Sequence, residues 1–223
     1  MRTIPEFRLY LFDLDGTLYR STSILYEAYR TGIRQYRNET GHNLEIPDKQ
    51  AVMDEVGNPV DEIYRNLFGE VERGRMDVLS TRIQDALLEY IQQGGGELLE
   101  GVPETLRSLS EQNSLGLVTN ARREYMDVVA DYYDLATFFE RMRCIEDIES
   151  DQKAELVRGM LEYFDVPPEE TLLVGDRESD YVAAQENNVH FVLRESEYGE
   201  DEFVSDVQCV SDLRELLPAP KNN

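Results

Sequence analysis

Tryptophan is absent from this 223-residue chain, and cysteine, histidine and lysine are nearly so. The two cysteines, Cys144 and Cys209, stand alone in apolar or mixed stretches, with no Cys-x-x-Cys. That argues against a disulfide framework or a thiolate metal site, and two buried free thiols are expected. The two histidines, His42 and His190, have no partner at metal-ligand spacing. Neither a Gly-x-Ser-x-Gly elbow nor a Gly-x-x-x-x-Gly-Lys loop occurs. No apolar run approaches the ~20 residues needed to cross a bilayer. The opening residues, Met1-Arg2-Thr3-Ile4-Pro5, hold no signal-peptide hydrophobic region. A cytoplasmic protein with no membrane partner is the expectation.

Positive charge is scarce too. There are 46 acids against 22 bases, a net charge of −24. Nucleic acid is disfavoured as a partner, because binding its backbone needs basic patches. Like charge also opposes self-association at low salt, so a monomer or weak dimer is expected. Lysine occurs only as Lys49, Lys153 and Lys221. An acid-rich, lysine-poor surface suits a salty cytoplasm where charge is screened, although an ordinary acidic soluble protein has the same composition. A halophilic protein should show an unfolding midpoint that climbs from low to molar KCl; a midpoint that does not climb removes that reading.

What is present is a core-sized chain. Its length suits one large domain, or a core with a smaller insert, and 41% of its residues are hydrophobic. The apolar run Leu9 to Leu14 reads as a buried strand. Asp13 and Asp15 lie at its far end, followed by Gly16 and Thr17. Residues i and i+2 of a strand share a face, so both carboxylates can look into one crevice. One could act as a nucleophile while the other handles a proton, or both could be solvated acids of an ordinary Asp-Gly turn. Gly16 permits a sharp bend and close approach to a phosphate. Thr17 supplies a hydroxyl donor or a cap.

After Thr17 the spacing becomes helical. Leu25, Tyr29, Ile33 and Tyr36 form one stripe. A second helix opens at Pro47 and ends near Gly57-Asn58-Pro59; a third covers 60–68. Leu79, Ile83, Leu87 and Ile91 mark a fourth, stopped by Gly94-Gly95-Gly96, which reads as a hinge or a helix stop. Strands and helices then alternate. Strands are expected at 115–118, 142–145, 172–174, 190–193 and 207–210. Helices are expected from Pro103, along Tyr125, Val128 and Tyr132, along Val157, Met160, Leu161 and Phe164, and over 179–187. Ser211 is a candidate cap for a last helix, and 218–223 reads as a loose tail. This alternation predicts an open, mostly parallel sheet with helices on both faces. Ligands of such sheets bind beyond the carboxyl ends of the strands.

Candidate residues fall at those ends. Asp13 and Asp15 close the first strand, and Thr119 and Asn120 close the second. Lys153 follows the Cys144 region. Asp176 closes the 172–174 strand, with Asp180 four residues later. This series resembles the four motifs of the haloacid dehalogenase-like (HAD) hydrolase superfamily, phosphoglycolate-phosphatase-like with a helical cap. The resemblance covers about residues 9–193. It implies a Rossmann-like α/β core formed by residues 1–19 and 95–223, with an α-helical cap domain at 20–94. It implies Asp13 as nucleophile and Asp15 as acid/base, with Thr119, Asn120 and Lys153 holding phosphate. Ala154 stands where many relatives have proline after the lysine, which leaves Arg158 as a fallback for Lys153.

Asp13, Asp176 and a phosphate dianion would crowd like charges. At about 4 Å each unit pair costs roughly 4 kcal/mol at an effective dielectric of 20. A hard divalent cation with oxygen ligands answers this, and Mg²⁺ suits. The expected set is Asp13 and Asp176 directly, Asp15 through its backbone carbonyl by family analogy, and Asp180 through water or by orienting Lys153. The resemblance thus implies a Mg²⁺-dependent phosphatase acting on a small phosphorylated metabolite through an aspartyl-phosphate. Phosphoglycolate, nucleoside monophosphates, sugar phosphates and pyrophosphate all remain open. A phosphomutase shares the same phosphorylated aspartate and is not separated by these motifs. A receiver-like module also uses Asp, Thr, Lys and Mg²⁺, but its acceptor lies on a later strand and it lacks a helical insert; a non-catalytic phosphate-binding relative is the remaining alternative. Residues 57–65 are a candidate substrate loop, or an ordinary turn between helices.

Overall fold

The computed structural model describes residues 4–69, 72–150, 152–196 and 207–217. Strand β1 (Leu9–Phe12) is buried at all four positions. A strand covered on both faces needs apolar side chains throughout rather than at alternate positions. A two-residue strand β2 (Tyr19–Arg20) leads into four helices: α1 (Thr22–Thr40), α2 (Lys49–Asp54), α3 (Val60–Phe68) and α4 (Arg73–Gln92). Strand β3 (Glu97–Leu98) returns antiparallel to β2, with Tyr19 opposite Leu98 and Arg20 opposite Glu97. Then follow α5 (Val102–Ser110), β4 (Ser114–Thr119), α6 (Arg123–Tyr132), β5 (Arg141–Cys144) and α7 (Lys153–Phe164). The remainder is β6 (Thr171–Gly175), α8 (Glu178–Asn187), β7 (His190–Arg194), β8 (Cys209–Val210) and a 3₁₀ turn at Leu213–Leu216. No helix among the described residues is long and apolar enough to cross a membrane.

Six strands make one parallel sheet in the order β5-β4-β1-β6-β7-β8. Side chains alternate across it. Tyr10, Phe12, Leu117 and Leu172 join Leu106 and Val129 in one apolar layer. Leu9, Leu11, Val118 and Leu173 join Leu156, Met160 and Ala183 in the other. This is the expected α/β sheet with helices on both faces. Phe12 lies level with Leu117 on one side and Val174 on the other. The residues that follow β1, β4 and β6 therefore emerge side by side, where the strand order reverses and ligands bind.

The helical block has a core of its own, built from Tyr29, Ile33, Tyr36, Val52, Tyr64, Leu79 and Ile83. The α1 stripe explains most of it. Gly32 lets α1 approach α4 closely: a Cβ there would lie 2.5 Å from the Ile83 Cα.

Several local expectations needed correction. The glycine run after α4 ends the helix: Gly94 N–H donates to Ile91 O and Gly95 N–H to Tyr90 O, both at 2.9 Å, the paired closure of a Schellman cap. Gly94 (φ +86°) and Gly96 (φ +75°) sit in left-handed backbone, and a Cβ on Gly95 would meet Tyr90 O at 2.8 Å. The run is thus the helix stop the sequence allowed, set by backbone conformation and close packing. Helix α6 buries Tyr125, Met126, Val129 and Ala130, whereas Tyr132 is 47% exposed. The helix itself lies where Tyr125, Val128 and Tyr132 placed it. Of the two thiols only Cys144 is buried; Cys209 is exposed on β8. Asp212, not Ser211, caps the last turn, its side chain accepting from Arg214 N–H at 2.8 Å. The Thr17 hydroxyl is buried without a hydrogen-bond partner and caps nothing. The expected loose tail, 218–223, lies outside the described residues.

Candidate active site

The site begins where β1 ends. Asp13 keeps the strand's pairing through its N–H to Val174 O at 2.9 Å. The chain then turns tightly: Leu18 and Tyr19 N–H both donate to Leu14 O, and Gly16 N–H to Tyr19 O. Gly16 has φ +81°, and a Cβ there would fall 2.0 Å from Asp176 Oδ2. Only glycine satisfies both the left-handed backbone and this contact.

Asp13, Asp176 and Asp180 are buried, and one carboxylate oxygen from each lies within 4.8 Å of the others. Lys153, the first residue of α7, is buried with its Nζ between Asp13 and Asp180, 2.5 Å from Asp180 Oδ1. Its fallback, Arg158, is exposed and paired with Glu155. Asp180 Oδ2 accepts the N–H groups of Asp176 (3.2 Å) and Arg177 (3.1 Å), which fixes the turn after β6. Ser196 donates to Asp176 Oδ2 at 2.7 Å. Asp176 Oδ1 is buried with no hydrogen-bond donor.

The charges act on one another strongly. Burial pushes Asp13 up to about 7; Lys153 opposes this, while Asp180 and Asp15 add to it. Burial, then the charges of Asp13 and Asp180, hold Asp176 well above the usual carboxylate range. Burial would strip the proton from Lys153, but Asp13 and Asp180 outweigh it and raise its pKa. Fully ionised, the three carboxylates would carry more negative charge than Lys153 balances.

Asp15 faces away from this cluster. Its Oδ1 accepts from Tyr125 at 2.6 Å and from Ser21 at 3.4 Å. Burial raises it to about 6 against those two bonds. Burial and the neighbouring Asp15 hold the Tyr125 phenol well above its ordinary value, so it stays a donor. Thr119 ends β4 buried; its Oγ1 accepts from Ala121 N–H at 3.1 Å, leaving its own proton to donate. Asn120 Nδ2 reaches across to Gly57 O at 3.1 Å, tying the sheet to the α2–α3 loop. The sequence-predicted residues thus gather at one sheet edge, with Asn120 engaged with the loop.

Tyr125, Ser21 and Ser196 were not foreseen. Tyr125 reads as a core residue of α6, and its partner is 110 positions away. Ser196 sits just past β7. The strand-end rule that found Asp176 applies there as well and was a usable signal.

Residues 10–193 match the model of the haloacid dehalogenase-like hydrolases. Pyrophosphatase PpaX of Bacillus cereus (strain G9842) is 27% identical over 180 residues, 78% of this chain and 77% of that protein. A predicted phosphoglycolate phosphatase from Haemophilus somnus superposes with a TM-score of 0.81 at 20% identity, over 94% of this chain and 96% of that one. CbbY from Rhodobacter sphaeroides, solved in complex with phosphate, superposes at 0.78 with 15% identity, over 94% and 96%. At those identities the two structures speak for the fold alone. The family match itself runs from the strand bearing Asp13 through the helical block to β7, and by it the chain belongs to the haloacid dehalogenase-like hydrolase family.

Proposed function

We propose that the protein is a Mg²⁺-dependent phosphatase that hydrolyses a small phosphomonoester through an aspartyl-phosphate on Asp13. The observation that carries this is the buried cluster of Asp13, Asp176 and Asp180 around a single lysine. The phosphatase names of the relatives support it. Asp176 Oδ1, buried without a donor, fits a cation. Asp13, Asp176 and the Asp15 carbonyl would hold Mg²⁺, with Asp180 behind them; when bound, the ion neutralises charge on the phosphoryl oxygens.

The chain's own residues do the rest. An Asp13 carboxylate oxygen attacks phosphorus, and the bond to the leaving oxygen breaks. Asp15, placed outside the cluster with a pKa near neutrality, gives its proton to that oxygen. It then takes a proton from the water that attacks phosphorus, breaking the bond to Asp13 and releasing phosphate. Lys153 and the Thr119 hydroxyl hold phosphoryl oxygens, with Asn120 beside them. The 20–94 block acts as a cap that closes over the substrate and excludes water.

Hydrolysis of p-nitrophenyl phosphate should be abolished by EDTA and restored by Mg²⁺. Turnover that ignores the chelator would remove the metal from the proposal. Asp15→Asn should lower kcat roughly 10²–10⁴-fold while inorganic phosphate still binds as a product inhibitor. Unchanged turnover would strip Asp15 of its acid/base role.

A further inference from the structure

Between the helical block and the sheet's carboxyl edge lies a cavity of about 120 Å³, bordered by Asp13, Asp15 and Thr119. Its other walls come from all four helices of the block and are mainly apolar: Leu25, Tyr29, Val56, Ile63, Tyr64 and Leu87. The Tyr29 and Tyr64 rings lie tilted to each other, centroids 6.5 Å apart. Polar side chains also reach this wall, and several of them are engaged with neighbours. Asn58 donates to Glu55 at 3.1 Å, Arg122 to Gln84 at 2.9 Å, and Gln84 to Glu124 at 2.7 Å. Arg122 and Glu55 both border the space, so the wall offers no net positive charge to a second phosphate.

We propose that this cavity receives the organic part of the substrate and selects a compact hydrophobic phosphomonoester, with a single ring or a branched alkyl group. The inference rests on the phosphatase reading and narrows it. Size gives the scale: a cavity of about 150 Å³ lined by Leu, Ile and Phe accommodates benzene, so a single ring matches the space of about 120 Å³. Chemistry sets the limit. The hydroxyls of a sugar or glycerol phosphate would lose water against the mainly apolar walls. Pyrophosphate, the substrate in the name of the Bacillus relative, would put a second dianion against apolar walls and Glu55.

The test compares kcat/KM for benzyl phosphate, methyl phosphate, glycerol 3-phosphate and pyrophosphate in Mg²⁺ buffer. Benzyl and glycerol 3-phosphate both release a primary alkoxide, so the comparison reads the pocket. Benzyl phosphate should lead by about 10-fold or more, as expected for burying a ring-sized apolar group. In Leu25→Asn, and separately in Ile63→Asn on another helix, the benzyl-to-methyl ratio should fall about 10-fold. An active enzyme that prefers glycerol 3-phosphate or pyrophosphate, or a ratio unmoved in both variants, overturns the selectivity and leaves the phosphatase standing. An enzyme that hydrolyses none of the four overturns both.

Discussion

Asp13→Asn protein should hydrolyse p-nitrophenyl phosphate roughly 10⁴-fold more slowly than wild type, or not at all, in line with the loss of a covalent nucleophile elsewhere. The amide has the carboxylate's shape, so the tight turn through Gly16 and the N–H bond to Val174 O can persist. What disappears is the charged oxygen proposed to form the bond to phosphorus. One of the three carboxylates in the cluster goes with it, so Lys153 keeps Asp180 as its partner. The variant should melt near the wild-type temperature and still bind inorganic phosphate. Acid quenching during turnover should trap a phosphoenzyme in wild type and none in the variant. Activity within tenfold of wild type would place the nucleophile elsewhere.

Lys153→Met should be the most destabilising single change in the site. The ammonium is buried between two carboxylates. Methionine fills similar space but leaves Asp13, Asp176 and Asp180 together with no cation seated between them. Removing one partner of a buried ionic group costs about 3–5 kcal/mol, or a melting temperature lower by roughly 10 °C for a chain of this size. The deficit should depend on pH with a definite sign. Burial holds Asp13 at about 7 in the folded protein, above the ordinary 3.8 of an aspartate. Without the lysine its folded pKa rises further. A carboxyl with a raised folded pKa loses stability as pH climbs from its unfolded value through its folded one. The gap between wild type and variant should therefore widen from about pH 6 to pH 8, and Mg²⁺ should narrow it. Equal melting temperatures in metal-free buffer would mean that Lys153 does not compensate the acids.

Both experiments bear on residues that could be picked out before any fold was known, for a physical reason. A parallel sheet writes its ligand site into the sequence as polar residues that end apolar runs, and Asp13, Thr119 and Asp176 all do so. Lys153 stood out because lysine is scarce. The helices of the inserted block were legible because their apolar stripes span several turns. What was hidden depends on distance or brevity. The bond from Tyr125 to Asp15 joins α6 to the first turn, and nothing local to either residue announces it. Strands β2 and β3 have two residues each, too few to display a period.

Those two short strands have a topological consequence. Because Tyr19 pairs with Leu98 and Arg20 with Glu97, the chain leaves the sheet domain and re-enters it at a single paired doorway. Everything between is topologically one oversized hairpin loop. Such a segment can be lengthened, trimmed or exchanged for an unrelated one without altering the path of any strand in the parallel sheet.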